Sequence, residues 1–226
     1  MAKIITNQTE WGKVSAELDG ESLKLASYDH TLFPLLGEVK GQKILDYGCG
    51  PGVLALALHK SQGDVHGYDI SEEMVRLCGL KIGTDRAHLR LENISRDNFD
   101  AAICNLVLCI VDEQEVKNIA RNLKDLVREG GKVYTGFCNP LIFDVPESNL
   151  DFRMPTGCKY HENHRYEKIK KEGGYRIIED HRPIEWYEQV FKQAGLRVVD
   201  KHFTPKYELN GKRIRDFILF EMEREK

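Results

Sequence analysis

The sequence predicts a doubly wound α/β domain, and three observations carry that prediction. Short apolar strands alternate with helical stretches between residues 41 and 137. The first strand of that series runs into a turn with glycines at Gly48, Gly50 and Gly52, and the second ends on a carboxylate, Asp69. Strands and helices alternating at this spacing imply parallel strands joined by right-handed crossovers.

In chain order, residues 1–40 read as helical, with Leu23, Leu25, Leu32, Leu35 and Leu36 on an irregular apolar stripe. Ile44 to Tyr47 predicts a short buried strand, and Val53 to His59 the apolar helix after the glycine turn. Val65 to Asp69 predicts a second strand, with Ser71 as N-cap of the next helix and Glu72 and Glu73 at its positive end. His88 to Leu91 and Phe99 to Asn105 predict strands three and four. Asp112 and Glu115 form a capping box before a helix that buries Val116, Ile119, Ala120, Leu123 and Val127 on one face. Gly130 and Gly131 end that helix, and Lys132 to Phe137 predicts strand five.

The rhythm then breaks. Pro140, Pro146 and Pro155 keep the next stretch irregular, and Arg165 to Lys170 with Tyr175 to Glu179 predict a hairpin turned by Glu172-Gly173-Gly174. Pro183 opens a last helix, with Tyr187, Val190, Phe191 and Ala194 inward and Gly195 at its end. Arg197 to Phe203 and Ile214 to Glu221 predict an antiparallel pair at the sheet edge. One domain over residues 1–226 is expected: a helical lid (1–40), a core (41–137), a covering insertion (140–182), and a last helix with edge strands (183–226).

Composition narrows the function. A chain of 226 residues can bury a full core. Its net charge of −3 supplies no global field for nucleic-acid phosphates. Residues 1–7 lack the apolar run of a signal peptide, and no apolar run is long enough for a membrane span. The 6 cysteines include no C-x-x-C pair, so reduced thiols of a cytoplasmic protein are expected.

The strongest local signal is Asp46-Tyr47-Gly48-Cys49-Gly50-Pro51-Gly52. The spacing is D-x-G-x-G-x-G; a dinucleotide loop would place its third glycine where Val53 stands, and a phosphate-binding loop would require a lysine. This motif resembles the first motif of class I S-adenosylmethionine-dependent methyltransferases, small-molecule type, and Asp69-Ile70-Ser71-Glu72-Glu73-Met74 resembles the second. The resemblance implies a Rossmann-like seven-stranded sheet of order 3-2-1-4-5-7-6 with the last strand antiparallel, and S-adenosyl-L-methionine as cofactor. It implies that Gly48, Cys49 and Gly50 cradle the methionine part and that Asp46 reaches its amino group. Asp69 would hold the ribose, Ile70 and Met74 would flank the adenine, Asn93 and Ile94 would meet its edge, and Asn105 and Leu106 would lie near the methionine end.

Ser27-Tyr28-Asp29-His30 resembles the segment that lays a tyrosine over the cofactor in small-molecule members, which implies Tyr28 as lid and His30 at the acceptor pocket. Cys109 stands where many relatives carry a pocket histidine. His181-Arg182-Pro183 resembles a turn that shapes the acceptor cavity, and His181 is the expected proton-handling residue. Methyl transfer from a sulfonium needs the acceptor held close and aligned, and a base only if the acceptor must lose a proton. Cys158, His161 and His164 lack an obvious fourth ligand, so no metal is expected. Lys168, Lys170, Lys171 and Arg176, interleaved with Glu162, Glu167 and Glu172, read as an exposed charged hairpin. The expected partner is a small-molecule acceptor; the rivals are an RNA or protein methyltransferase and a cofactor-binding module without turnover.

Overall fold

The computed structural model describes residues 3–5, 8–15, 18 and 22–225. Its strands are β1 (Ile4–Ile5), β2 (Lys43–Tyr47), β3 (Asp64–Tyr68), β4 (Ala87–His88), β5 (Phe99–Asn105), β6 (Val127–Cys138), β7 (Asp151–Arg153), β8 (His164–Lys170), β9 (Arg176–His181), β10 (Leu196–Phe203), β11 (Tyr207–Leu209), β12 (Lys212–Ile214) and β13 (Phe217–Arg224). The α-helices are α1 (Ser22–Leu36), α2 (Val53–Lys60), α3 (Glu72–Ile82), α4 (Glu113–Leu126) and α5 (Ile184–Gln193).

The central sheet has 7 strands in the order β10-β13-β6-β5-β2-β3-β4. Numbered as the strands of the core, that is the expected 3-2-1-4-5-7-6. Strands β4, β3, β2, β5 and β6 pair in parallel, and β13 runs antiparallel to both β6 and β10. The carboxyl ends of β2, β3 and β5 therefore open on one edge, and the order reverses beside β2. A doubly wound sheet binds its ligand there.

The helices cover the faces for local reasons. In α4 the Asp112 carboxylate accepts from Glu115 N at 2.8 Å, and Val116, Ile119, Ala120, Leu123 and Leu126 are buried along one stripe. In α3 the Ser71 hydroxyl accepts from Met74 N as N-cap. In α1, Tyr28, Leu32 and Leu36 join the core, while the side chains of Leu23 and Leu25 lie outside the described residues.

Several expected boundaries move. The third strand is Ala87–His88 rather than His88 to Leu91, because residues 91–93 turn into a 3-10 helix. The last strand runs over Phe217–Arg224, three residues beyond the sequence reading, and forms with β10 the expected antiparallel pair at the sheet edge, β10 outermost. Ile214 instead pairs with Tyr207 in the β11–β12 hairpin, turned by Asn210 and Gly211, both at positive φ.

The insertion forms a second sheet of 4 strands, order β1-β9-β8-β7. The β8–β9 hairpin is the expected one, but β1 and β7 were not legible. β1 is only 2 residues long and pairs in parallel with β9, Ile5 opposite Ile177. The N-terminal segment thus completes the insertion sheet across a long sequence separation.

Candidate active site

The glycine loop is held open by backbone geometry. Gly48, Gly50 and Gly52 all have positive φ, which only glycine adopts without strain. A Cβ at Gly48 would lie 2.4 Å from Val107 Cγ2, and one at Gly52 would lie 2.8 Å from Cys78 Cα. A Cβ at Gly50 would meet nothing within 4 Å. Two glycines thus serve close packing and the middle one faces open space.

Asp69 ties this loop to the next helix. Its carboxylate accepts from Gly50 N at 3.0 Å and from Ser71 N at 2.9 Å. Burial raises its pKa above the ordinary carboxylate value, and the backbone bonds oppose that rise. A carboxylate has about four acceptor positions, so capacity for hydroxyl donors remains. Asp46 is almost fully buried on the same wall.

One cavity joins the two sheets. Asp46, Gly48, Cys49, Gly50, Asp69, Ile70, Met74, Asn105 and Leu106 line it on the core side. Tyr28 lines it from α1: its hydroxyl donates to Asn105 Oδ1, and its ring meets Phe217 edge-on at 5.4 Å. The backbone of β6 accommodates that hydroxyl only because position 136 is glycine, since a Cβ there would lie 1.5 Å from it. The far wall comes from the insertion sheet and the N-terminal segment: Lys168, Lys170, Tyr175, Ile177 and Glu179, with Trp11 and Leu18.

Five expected site residues do not line this cavity. Asn93 is exposed and Ile94 is buried in the core. His30 is exposed on the outer side of α1. Cys109 is buried behind the wall, its thiol directed at Leu106 O and Glu179. His181 shares the buried face of β9 with Ile177 and Glu179 but lies outside the cavity lining: Nε2–H donates to Tyr160 O at 2.8 Å, and the ring packs against Phe143 and His164. Burial lowers the His181 pKa, which keeps the ring neutral. That histidine anchors a loop and does not meet the cavity. Its neighbour Arg182 does the bracing: the fully buried guanidinium donates to Leu108 O at 3.0 Å and Val111 O at 2.6 Å.

The hairpin expectation is corrected most. Lys168 and Lys170 are buried, at 1% and 7% exposure. Lys168 Nζ lies 2.5 Å from Glu179, 3.3 Å from Asp151 and 3.0 Å from Cys138 Sγ. Lys170 and Arg153 also pair with Asp151, and Tyr166 donates to Glu179 at 2.6 Å. Burial alone would lower the Lys168 pKa, but Asp151, Cys138 and Glu179 outweigh it and hold the ammonium charged. Cys109, Cys138 and Glu179 come close enough together to ligate a metal. The Lys168 ammonium already supplies the positive charge there. The signal for this wall was the alternation of charge along β8 and β9, which admits either face as the buried one.

Comparison with known proteins agrees with this geometry. A family described as "Methyltransferase domain" matches residues 44–131. A ubiquinone biosynthesis O-methyltransferase of Shewanella is 31% identical over 218 residues, 86% of each chain. The enzyme of the same name from Bordetella avium is 29% identical, over 46% of each chain; over such matches the chain spans about half the relative's length. An S-adenosylmethionine-dependent methyltransferase structure from Mesorhizobium loti superposes with a TM-score of 0.61 at 20% identity, covering 84% of this chain and 94% of that one. The chain belongs to the class I S-adenosylmethionine-dependent methyltransferases, and S-adenosyl-L-methionine is its cofactor.

Proposed function

We propose that the chain transfers the methyl group of S-adenosylmethionine to a small-molecule acceptor held between the glycine loop and the insertion sheet. One observation carries this reading: both sheets line the same cavity, so cofactor and acceptor would meet in one chamber. A chamber walled by Trp11, Leu18, Val107, Ile110, Ile177 and Phe217 suits a compact, largely apolar body. The name of the Shewanella relative, a ubiquinone biosynthesis O-methyltransferase, supports a small acceptor.

The cofactor, when bound, supplies a methyl group already activated on a cationic sulfur. The residues of this chain fit it: open space at Gly50, the Asp69 carboxylate for the ribose hydroxyls, and Asp46 for the amino group. Tyr28 and Asn105, bonded to each other, would close the methionine end. Positioning and exclusion of water would carry much of the step, and a base is needed only if the acceptor must lose a proton.

RNA or protein as acceptor rested on the hairpin lysines. Lys168 and Lys170 are buried, and Lys171 and Arg176 are paired with Glu147 and Glu167. Unpaired thiols at all 6 cysteines support a reducing, cytoplasmic setting. Among the described residues no helix is long and apolar enough to cross a membrane.

The test is transfer of tritium from methyl-labelled cofactor to pooled metabolites, RNA and cell protein. Label is expected in the small-molecule fraction; label in RNA or protein alone overturns the reading. Binding of S-adenosylhomocysteine with no transfer to any fraction would favour a module without turnover.

A further inference from the structure

Two histidines outside the cavity stand next to the cofactor-binding segment. His66 on β3 and His88 on β4, both half-buried, meet across the strands, with Nδ1 of His66 3.0 Å from Nε2 of His88. Their ring centres are 5.3 Å apart and their planes differ by 9°. That spacing is about the nitrogen separation plus the two centre-to-nitrogen radii. The rings therefore lie edge to edge in one plane, with an N–H of one directed at the lone pair of the other.

This bond fastens a very short strand. β4 has only 2 residues, with Ala87 opposite Gly67 and His88 opposite Tyr68. His88 O accepts from Asp69 N at 3.2 Å. Asp69 in turn ties Gly50 N to Ser71 N through its carboxylate, and Tyr68 lines the cavity. His88 thus reaches the cofactor site through one backbone bond and one register partner. A displaced His88 would release the Asp69 N–H and the end of β3 with it.

The bond tolerates one added proton and not two. A neutral imidazole has one N–H and one acceptor nitrogen. A first proton can settle on an outer nitrogen: His66 Nε2 lies 3.9 Å from Asp64 Oδ1, and Asp85 favours charge on His88. The central N–H and lone pair are then kept. A second proton turns both central nitrogens into donors and sets two like charges against each other. The surroundings oppose it further. Asp64 is already ion-paired with Arg86, the Lys43 ammonium stands over the Phe99 ring, and that ring meets His66 edge-on at 5.7 Å. Burial, then the charges of His88, Lys43 and Arg86, lower the His66 pKa against the pull of Asp64, and burial lowers that of His88.

We propose that the His66–His88 bond positions the cofactor-binding segment Asp69–Met74, and that charging both rings breaks it, so that the protein releases its cofactor as pH falls. Neither ring lines the cavity, so the pair acts through Asp69 and Tyr68. The direction follows from linkage. The state without the bond binds one proton more, so the bond is intact above the ordinary imidazole value of about 6.5 and is lost as pH falls below it. Each linked proton alters a binding constant by up to about tenfold per pH unit. The Asp69 carboxylate titrates in the same direction, so the share of the pair is a difference between variants that all keep Asp69.

The experiment is calorimetry with S-adenosylhomocysteine at pH 7, 6 and 5 on wild type and two variants. His88→Leu removes the bond; His88→Gln keeps a donor and an acceptor in an amide that does not titrate. At pH 7 His88→Leu should bind about fivefold more weakly, the scale of one neutral hydrogen bond, and His88→Gln should restore most of that loss. Between pH 7 and pH 5 wild type should lose about tenfold more affinity than His88→Gln. A merely structural role would weaken both variants alike and leave the slope with pH unmoved. Nitrogen-15 spectra of the histidine rings should show one proton shared by His66 Nδ1 and His88 Nε2 in wild type and none in His88→Leu. If His88→Leu fails to fold, the slopes of wild type and His88→Gln decide. Equal slopes in those two proteins, or full affinity in folded His88→Leu at pH 7, would overturn the proposal. Failure of wild type to bind S-adenosylhomocysteine at pH 7 would sink the cofactor site itself, and the role of the pair with it.

Discussion

The two walls of the cavity are built by opposite rules. The core wall is built around two segments short in sequence, Asp46 through Pro51 and Asp69 through Met74, joined by Tyr28, Asn105 and Leu106, and the shape of its glycine loop follows from backbone. The insertion wall is non-local. It joins β1 to β9, sets Lys168 against Glu179 and Asp151, and rests on Cys138 from another sheet. A backbone-built wall can hold a constant ligand, whereas a wall of side chains can change with the acceptor.

The largest expected effect tests the first rule. Gly50→Val would put a branched side chain into the open space of the loop and force a residue with φ of 52° into the left-handed region. Affinity for S-adenosylhomocysteine should fall by about a thousandfold, ~4 kcal/mol. Calorimetry on folded variant checks this; unchanged affinity would remove the loop from the cofactor site.

Next comes a strut between the walls. Arg182→Met leaves Leu108 O and Val111 O without their donors in a buried place. Each lost bond to a charged donor costs about 1.5–3 kcal/mol, so stability should drop by roughly 3 kcal/mol or more. Urea unfolding should show a lower midpoint at unchanged slope. A shift below about 0.5 kcal/mol would mean that the insertion does not depend on this brace.

Asp69→Ala separates recognition from architecture. It should cost about 1.5–3 kcal/mol of S-adenosylhomocysteine binding and almost nothing for a 2′,3′-dideoxy analogue. Because burial raises the pKa of Asp69, wild-type affinity should also weaken as pH falls through that raised value, where the carboxylate gains a proton. Equal loss for both ligands would make Asp69 a loop strut, a role its bonds to Gly50 N and Ser71 N already suit.

How much was legible follows from the same contrast. The glycine turn, the end of β3 and the capping box of α4 are short-range patterns, and the strand order followed from family resemblance. Asn93 does not line the cavity, because the short β4 gives way to a turn that leaves it exposed. Lys168 failed as a surface residue because alternation along a strand fixes two faces but not which is inward. His181 sits in the expected turn, yet Arg182 is the residue that reaches the cavity loop.

The smallest effect concerns that histidine. His181 is buried and its folded pKa lies below the ordinary value, with burial the leading cause. The unfolded chain therefore binds a proton more readily than the folded one. Its contribution is present above the unfolded pKa of about 6.5 and is lost as pH falls towards the lowered folded value. His181→Phe should make the loss of stability between pH 7 and pH 5 shallower (roughly) by one proton's share at most, while His66 and His88, also lowered by burial, keep part of the slope. S-adenosylhomocysteine affinity should stay within about 0.5 kcal/mol, since the side chain does not line the cavity. Transfer should fall less than about tenfold, with its pH profile unmoved, because a lost general base typically costs about 10²-fold or more. A hundredfold drop that reshapes the pH profile would return His181 to the chemistry and break the division between a wall that touches substrates and a turn that only holds it in place.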